Sequence, residues 1–228
     1  MLINADFNQR VVVHDADMLW RSSPITGIRR KMYDRIGYEV ARATTLVEYA
    51  SGSKFPAHTH TGGEEFIVLE GVFQDEHGDF PAGSYVRNPP QSTHTPSSQT
   101  GCLIFVKLWQ FDIHNRTHLR LDMNSLDPVH SPDRSGVSIT PLYSDAQENV
   151  HLEIWQPGAQ VTINASGGAE LLVLDGGFEL EGKDFHYLSW LRTPVESSIN
   201  LIAGASGARV WIKTGHLKFI YAPEQVNI

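Results

Sequence analysis

Three residues able to bind a metal fall within the seven-residue stretch His58-Thr59-His60-Thr61-Gly62-Gly63-Glu64. Imidazole nitrogen and carboxylate oxygen are the donors that divalent transition metals take. On an extended strand, residues two apart share a face about 6.5–7 Å apart. His58 and His60 can therefore converge on one ion, at about 2.0–2.1 Å. The turn Thr61–Gly62–Gly63 then returns the chain with Glu64 at the head of the next strand. Alternation along that strand puts Phe66 and Val68 on Glu64's face. The carboxylate is thus expected in an apolar wall, where a charge needs a counter-charge and a cation supplies one. His94, approached through Pro89 and Pro90, is the candidate fourth ligand. Phe66, Val68 and Arg87 are the candidate residues of an adjoining pocket.

The cofactor this set calls for is one divalent transition metal: zinc, iron, manganese or nickel. Four protein ligands complete a tetrahedron around zinc. The same four around an octahedral ion leave two positions for substrate or oxygen. An isolated H-x-H pair at a surface usually binds nothing, so the weight of the assignment rests on the surrounding chain.

That chain reads as short strands between turn residues. Such runs occupy 9–14, 27–36, 40–50, 64–71, 71–80, 83–90 and 102–111, and their close spacing indicates a sandwich or barrel. The stretch 27–36 is charged enough for a helix, but Pro24, Gly27 and Gly37 bracket it and another strand follows. Its basic cluster, Arg29, Arg30, Lys31 and Arg35, reads as a solvated, ion-paired face rather than an anion site. From 115 to 136 the chain is rich in Pro, Asp and Ser without periodicity, and is expected to be a linker.

Beyond it the pattern restarts. A shift of 106 residues carries Gly52, His58, His60, Glu64 and Gly71 onto Gly158, Asn164, Ser166, Glu170 and Gly177. A shift of 105 carries Arg87 and Pro89 onto Arg192 and Pro194, and 106 carries Lys107 onto Lys213. A nearly constant offset implies two copies of one fold, with domains expected at 1–120 and 121–228. Asn164 and Ser166 are poor ligands, and near the fourth position stands Ile199, which is none. The second copy is expected to be metal-free.

Composition narrows the partners. The chain has 228 residues and a formal net charge of −8, which argues against nucleic acid. Residues 1–120 carry 13 acidic and 12 basic side chains, the remainder 13 and 6, so the acidity lies in the second half. A single cysteine, Cys102, cannot form an internal disulfide and is expected to be a buried, inert thiol. The N-terminus lacks the charged and apolar regions of a signal peptide, and no run approaches the ~20 apolar residues of a membrane span. The expectation is a cytoplasmic protein, monomeric or homodimeric, without nucleic-acid or membrane partners.

Residues 52–71 read G-x5-H-x-H-x3-E-x6-G, and 83–94 read G-x5-P-x4-H. These resemble the two cupin motifs. Gly52, His58, His60, Glu64, Gly71, Gly83, Pro89 and His94 match; Gln91 stands where the motif has glycine and Ser98 where it has asparagine. The stretch 18–112 resembles the ChrR-like cupin family, which also includes sequences described as acetylacetone-cleaving-enzyme-like. The resemblance implies an all-β fold of two jelly-roll barrels, the second degenerate, and metal ligation by His58, His60, Glu64 and His94. It implies either a regulatory protein responding to a small-molecule ligand or an oxidant, or a metal-dependent dioxygenase acting on a small diketone-like or keto-acid substrate. A ChrR anti-sigma factor also has an N-terminal helical domain with a His/Cys zinc site that binds the sigma factor. With no C-x-x-C and no room before residue 20, a sigma-factor partner is not expected here.

Overall fold

A computed structural model describes residues 1–223 of the chain. It is almost entirely antiparallel β-structure, with two single-turn 3-10 helices at Asp15–Asp17 and His216–Lys218 among the described residues. Two compact units emerge. The first comprises Met1–Ala5, Leu19–Ser125 and residues 221–223, the second Asp6–Met18 and Leu126–Ile220.

In the first unit the main sheet runs, in spatial order, Leu2–Ile3, Ile28–Gly37, Ala41–Tyr49, Cys102–Leu108, Glu64–Asp75, Ser84–Asn88 and Leu119–Asp122. His58–His60 and Ser92–His94 pair with each other in a separate ribbon. Register fixes which residues share the inner face. Glu64 lies opposite Leu108 and Asn88, Phe66 opposite Val106 and Val86, and Val68 opposite Ile104. Phe66, Val68, Val86, Ile104 and Val106 join Ile28, Val47, Tyr49, Phe73 and Phe80 in the core. Fully burying each such side chain contributes about 1.5–3 kcal/mol.

In the second unit the order is Val129–His130, Val137–Ser144, Asn149–Trp155, Ser197–Thr214, Ala169–Leu180, Trp190–Thr193 and Val11–Val13. Gln160–Ala165 pairs with the first part of the long strand Ser197–Thr214. The core here is more continuously apolar, around Trp155, Val161, Ile163, Phe178, Leu191 and Ile199.

The expected division at 120/121 needs two corrections. Leu119–Asp122 is a strand of the first unit, paired with Ser84–Asn88, which moves the boundary to 125/126. Val11–Val13 completes the sheet of the second unit, pairing with Trp190–Thr193. The expected linker therefore contains two strands, Leu119–Asp122 and Val129–His130. At four and two residues, they are too short to show a period.

The basic cluster also divides. Arg29 is exposed and bonds Glu48, as a solvated ion pair should. Lys31, two residues on, shares Arg29's face and the Trp20 ring beneath it, yet is buried. A bulge between Met32 and Asp34 then resets the parity, so that Arg35 shares the inner face with Arg30.

Candidate metal centre

The ribbon that carries the histidines is antiparallel, with His58 directly opposite His94 and His60 opposite Ser92. Directly opposed and two-apart residues share one face, and the three imidazoles turn inward together. Their ring nitrogens lie within 4.8 Å of one another, the one cluster of three such donors among the described residues. His60 Nε2 is 2.9 Å from His94 Nε2.

Glu64 arrives through the double glycine. A Cβ on Gly62 would lie 2.1 Å from the Trp109 ring, and Gly63 has φ of +80° with the Phe111 ring where its Cβ would stand. Both positions therefore exclude a side chain. The Glu64 carboxylate is buried, with Oε2 3.4 Å from His60 Nε2 and 3.5 Å from His94 Nε2. Asn88 donates its amide to the same oxygen at 3.2 Å.

The far sides of the rings are held. His58 Nδ1 donates to the carbonyl of Pro56 at 2.9 Å, and His94 Nδ1 to the Asp75 carboxylate at 3.1 Å. Each bond fixes the tautomer that leaves Nε2 as the free lone pair, and the carboxylate raises the basicity of His94. Burial pushes the His60 imidazolium down to about 4, with His94 and His58 adding and Glu64 opposing. His60 is thus neutral, as a ligand must be. Burial works against ionisation of Glu64, yet His60, His94 and the Asn88 amide outweigh it and hold the carboxyl below its usual range. For His94 burial is likewise outweighed, by Glu64 and Asp75, so its imidazole is raised above the ordinary value.

His60, His94 and Glu64 already stand at coordination spacing for a metal, with His58 beside them. Ligands about 2.1 Å from one ion stand about 3.0 Å apart when cis in an octahedron and about 3.4 Å apart in a tetrahedron. The separations of 2.9, 3.4 and 3.5 Å lie at those spacings. A buried carboxylate facing imidazole lone pairs has no proton donor to satisfy them all, whereas a cation does so.

A cavity of about 340 Å3 opens beside the cluster, reached by His58, His60 and Glu64. Its walls are mainly apolar: Ile28, Val47, Tyr49, Ile104, Val106 and Leu108 are among them. The expected pocket residues are not in that lining. Phe66 and Val68 share Glu64's face as the sequence implied, but both pack deeper in the core. Arg87 lies on the opposite face, one residue out of phase with Asn88, in a buried ion pair with Glu65 that Tyr85 joins through its hydroxyl. The strand Cys102–Leu108 supplies the wall instead, through Ile104, Val106 and Leu108. Its apolar alternation was visible in the sequence, but its place beside Glu64 depends on a long-range register. Asp75 and Asn88, which orient His94 and Glu64, carried no sequence signal of their own.

The second unit repeats this framework with the donors gone. Gly168, with φ of +75°, is the counterpart of Gly63, and Ile163 lies opposite Ile199 as His58 lies opposite His94. The offset through this segment is therefore 105, not 106. At that register His58, His60, Glu64 and His94 correspond to Ile163, Ala165, Ala169 and Ile199, all buried in the core. Asn164 and Ser166 are exposed. Glu170 is the counterpart of Glu65 on the other face, where it bonds His216 and Trp190. A one-residue slip in a strand exchanges its faces, which is why the sequence pairing chose the wrong residues there. Cys102 is buried as expected, its thiol pushed up to about 11 by burial.

Two jelly-roll barrels, one with a three-histidine cluster beside a buried glutamate, define a cupin with two barrels. Residues 8–112, a little under half of the chain, match the ChrR cupin-like domain family. No curated protein sequence matches it. Solved structures share the fold at low identity. A candidate dioxygenase from Nostoc punctiforme is 13% identical with a TM-score of 0.76, covering 94% of this chain and 86% of that one. A bacterial pirin from Escherichia coli in complex with nickel(II) is 16% identical with a TM-score of 0.65, covering 91% and 99%. A single-site variant of oxalate decarboxylase from Bacillus subtilis is 11% identical with a TM-score of 0.62, covering 90% and 77%. No helix among the described residues is long and apolar enough to cross a membrane.

Proposed function

We propose that the first barrel holds one divalent metal through His58, His60, Glu64 and His94, and that the chain is an enzyme acting on a small oxygenated organic molecule bound in the adjoining cavity. The observation that carries this reading is the cavity itself: about 340 Å3 of largely apolar space reaching three of the four ligands. A purely structural site has a closed shell and no use for such an approach. The reading favours iron, manganese or nickel over zinc, because their octahedral shells leave positions facing the cavity. A bound ion of this kind would polarise a substrate oxygen and, as iron or manganese, give access to oxygen chemistry.

The chain's own residues do the rest. Glu64 lowers the net charge of the site, and the Asn88 amide fixes its orientation. Asp75 and the Pro56 carbonyl hold the outer nitrogens of His94 and His58 so that the inner lone pairs converge. Ile104, Val106 and Leu108 exclude water from the side where substrate enters, which strengthens electrostatic interactions there.

A second reading is a regulatory protein sensing an oxidant or small molecule, supported by the match to the ChrR cupin-like family. The buried Cys102, with its raised thiol, makes a poor oxidant target, so sensing would fall on the metal and its ligands. One experiment separates the readings. The protein is loaded in turn with iron, manganese, nickel and zinc, then mixed with pentane-2,4-dione and with short 2-oxo acids. The enzyme reading predicts oxygen uptake that disappears in His94→Ala. Metal release on peroxide treatment, with no uptake in any form, supports the regulator and rejects the enzyme.

A further inference from the structure

The cavity beside the metal ligands is lined by two cations with no carboxylate within ion-pair distance among the described residues. Arg30 and Arg35 both line it. Arg35 is only 5% exposed. Its guanidinium bonds are both made by Nη2, to the backbone carbonyls of Tyr38 and Glu39. Among the described residues its Nε and Nη1 have no protein acceptor. Arg30 spends one N–H on the Ser23 hydroxyl at 2.7 Å and has no acid partner. Glu39 lines the same cavity, but its exposed carboxylate lies beyond ion-pair distance of either arginine. The two guanidiniums are close enough to repel, and burial and Arg30 together lower the Arg35 pKa, against Glu39.

Holding a guanidinium in an apolar cavity costs free energy unless an anion meets it. Capping the hairpin carbonyls of Tyr38 and Glu39 occupies one nitrogen and leaves the rest of the fork unused. A guanidinium fork matches a carboxylate in a bidentate pair. Placement fits this use. Arg35 lies in one row across the sheet with Ala43, Leu108 and Glu64. Three strand spacings amount to about 14 Å along the sheet, and less across the hollow of the barrel. Both side chains project into that hollow, which leaves room between them for the body of a small molecule.

We propose that Arg35, assisted by Arg30, is a carboxylate-recognising subsite, so that the molecule acted on is a small acid with an apolar body. One end offers oxygen donors to the metal and the other a carboxylate to Arg35. This rests on the cavity serving the metal site, as proposed above, and assigns the class of substrate.

The test compares 2-oxoadipate with 2-oxohexanoate, which has the same chain length but lacks the distal carboxylate. Binding of each to the manganese-loaded protein is measured by calorimetry. A charged, desolvated pair predicts that the diacid binds about tenfold tighter or more. In Arg35→Gln the preference should collapse to about threefold or less, with manganese content unchanged. Arg35→Lys keeps the charge, loses the fork and should fall between; Arg30→Gln should weaken the diacid by a smaller factor.

Equal binding of the two acids to the parent protein overturns the subsite, as does a preference that survives Arg35→Gln. If both acids bind only with manganese present but without discrimination, the metal reading stands and the subsite falls. If the diacid is preferred equally in His94→Ala, the subsite stands and the metal reading falls. Failure of both acids to bind rejects both.

Discussion

Replacing Asp75 should loosen the metal without touching a ligand. Its carboxylate accepts from His94 Nδ1 at 3.1 Å, and both side chains are shielded from solvent. The bond sets the ring's orientation and tautomer and raises the basicity of Nε2. In Asp75→Ala the Nδ1–H loses its acceptor and the ring its anchor. Outer-shell changes of this kind typically lower metal affinity 10–100-fold, or about 1.4–2.7 kcal/mol. The burial of the pair places Ala near the upper figure. Asp75→Asn can keep an acceptor while losing the charge, and should fall near the lower. Asn is also the structural control, since Asp75 accepts the His77 backbone N–H in the adjoining turn. The assay is competition against a chromophoric chelator, with thermal melting of the metal-free variants beside it. If both variants bind within about twofold of the parent, His94 is not held through Asp75 in the way described.

Arg87 should matter for stability and not for metal. Arg87→Met strands the buried Glu65 carboxylate and should cost about 3–5 kcal/mol, read from the urea midpoint, with metal per folded chain unchanged; metal loss at undiminished stability would place Arg87 in the site after all. The pH dependence follows from His94. Burial lowers its imidazole, but Glu64 and Asp75 prevail, so in the metal-free protein it stays protonated above the usual histidine value of about 6.5. A metal must displace that proton, so affinity should decline as pH falls through this raised value, losing about tenfold per unit below it. The same shift should stabilise the metal-free protein at lower pH, a contribution lost as pH rises through the raised value. His60, held near 4 by burial, begins to compete only in stronger acid. Metal affinity flat from about pH 8 to 5 would contradict His94 as a ligand.

Much of this was legible because strand chemistry is local. The alternation of His58 and His60, the turn at Gly62–Gly63 and the arrival of Glu64 all follow from period two and a tight turn. The charged run 27–36 could be read as a strand from its flanking glycines. What failed depended on register. In the second copy Glu170 is acidic like Glu64, yet it pairs with Arg192 as Glu65 pairs with Arg87. The residue facing the site is Ala169, one position earlier. The expectation that the second barrel lacks ligands rests on Asn164, Ser166 and Ile199; in the structure the residues at the ligand positions are Ile163, Ala165, Ala169 and Ile199.

Arg35 shows the same limit. Nothing local marks the bulge between Met32 and Asp34 that turns it inward, so four basic residues looked like one solvated face. Gln91, where the cupin motif has glycine, keeps the backbone of that glycine, with φ of +72°. The turn is thus preserved at the cost of a strained residue, which substitution alone would not reveal.

The central claim is a single metal site built from His58, His60, Glu64 and His94 in the first barrel, with none in the second. It is tested most directly by elemental analysis of the protein purified without added metal and then saturated and desalted, beside His58→Ala and Glu64→Ala. The account predicts about one equivalent of divalent transition metal per chain in the parent and none in either variant. Two equivalents in the parent, with one surviving both substitutions, would contradict it, and so would a parent protein that retains no metal.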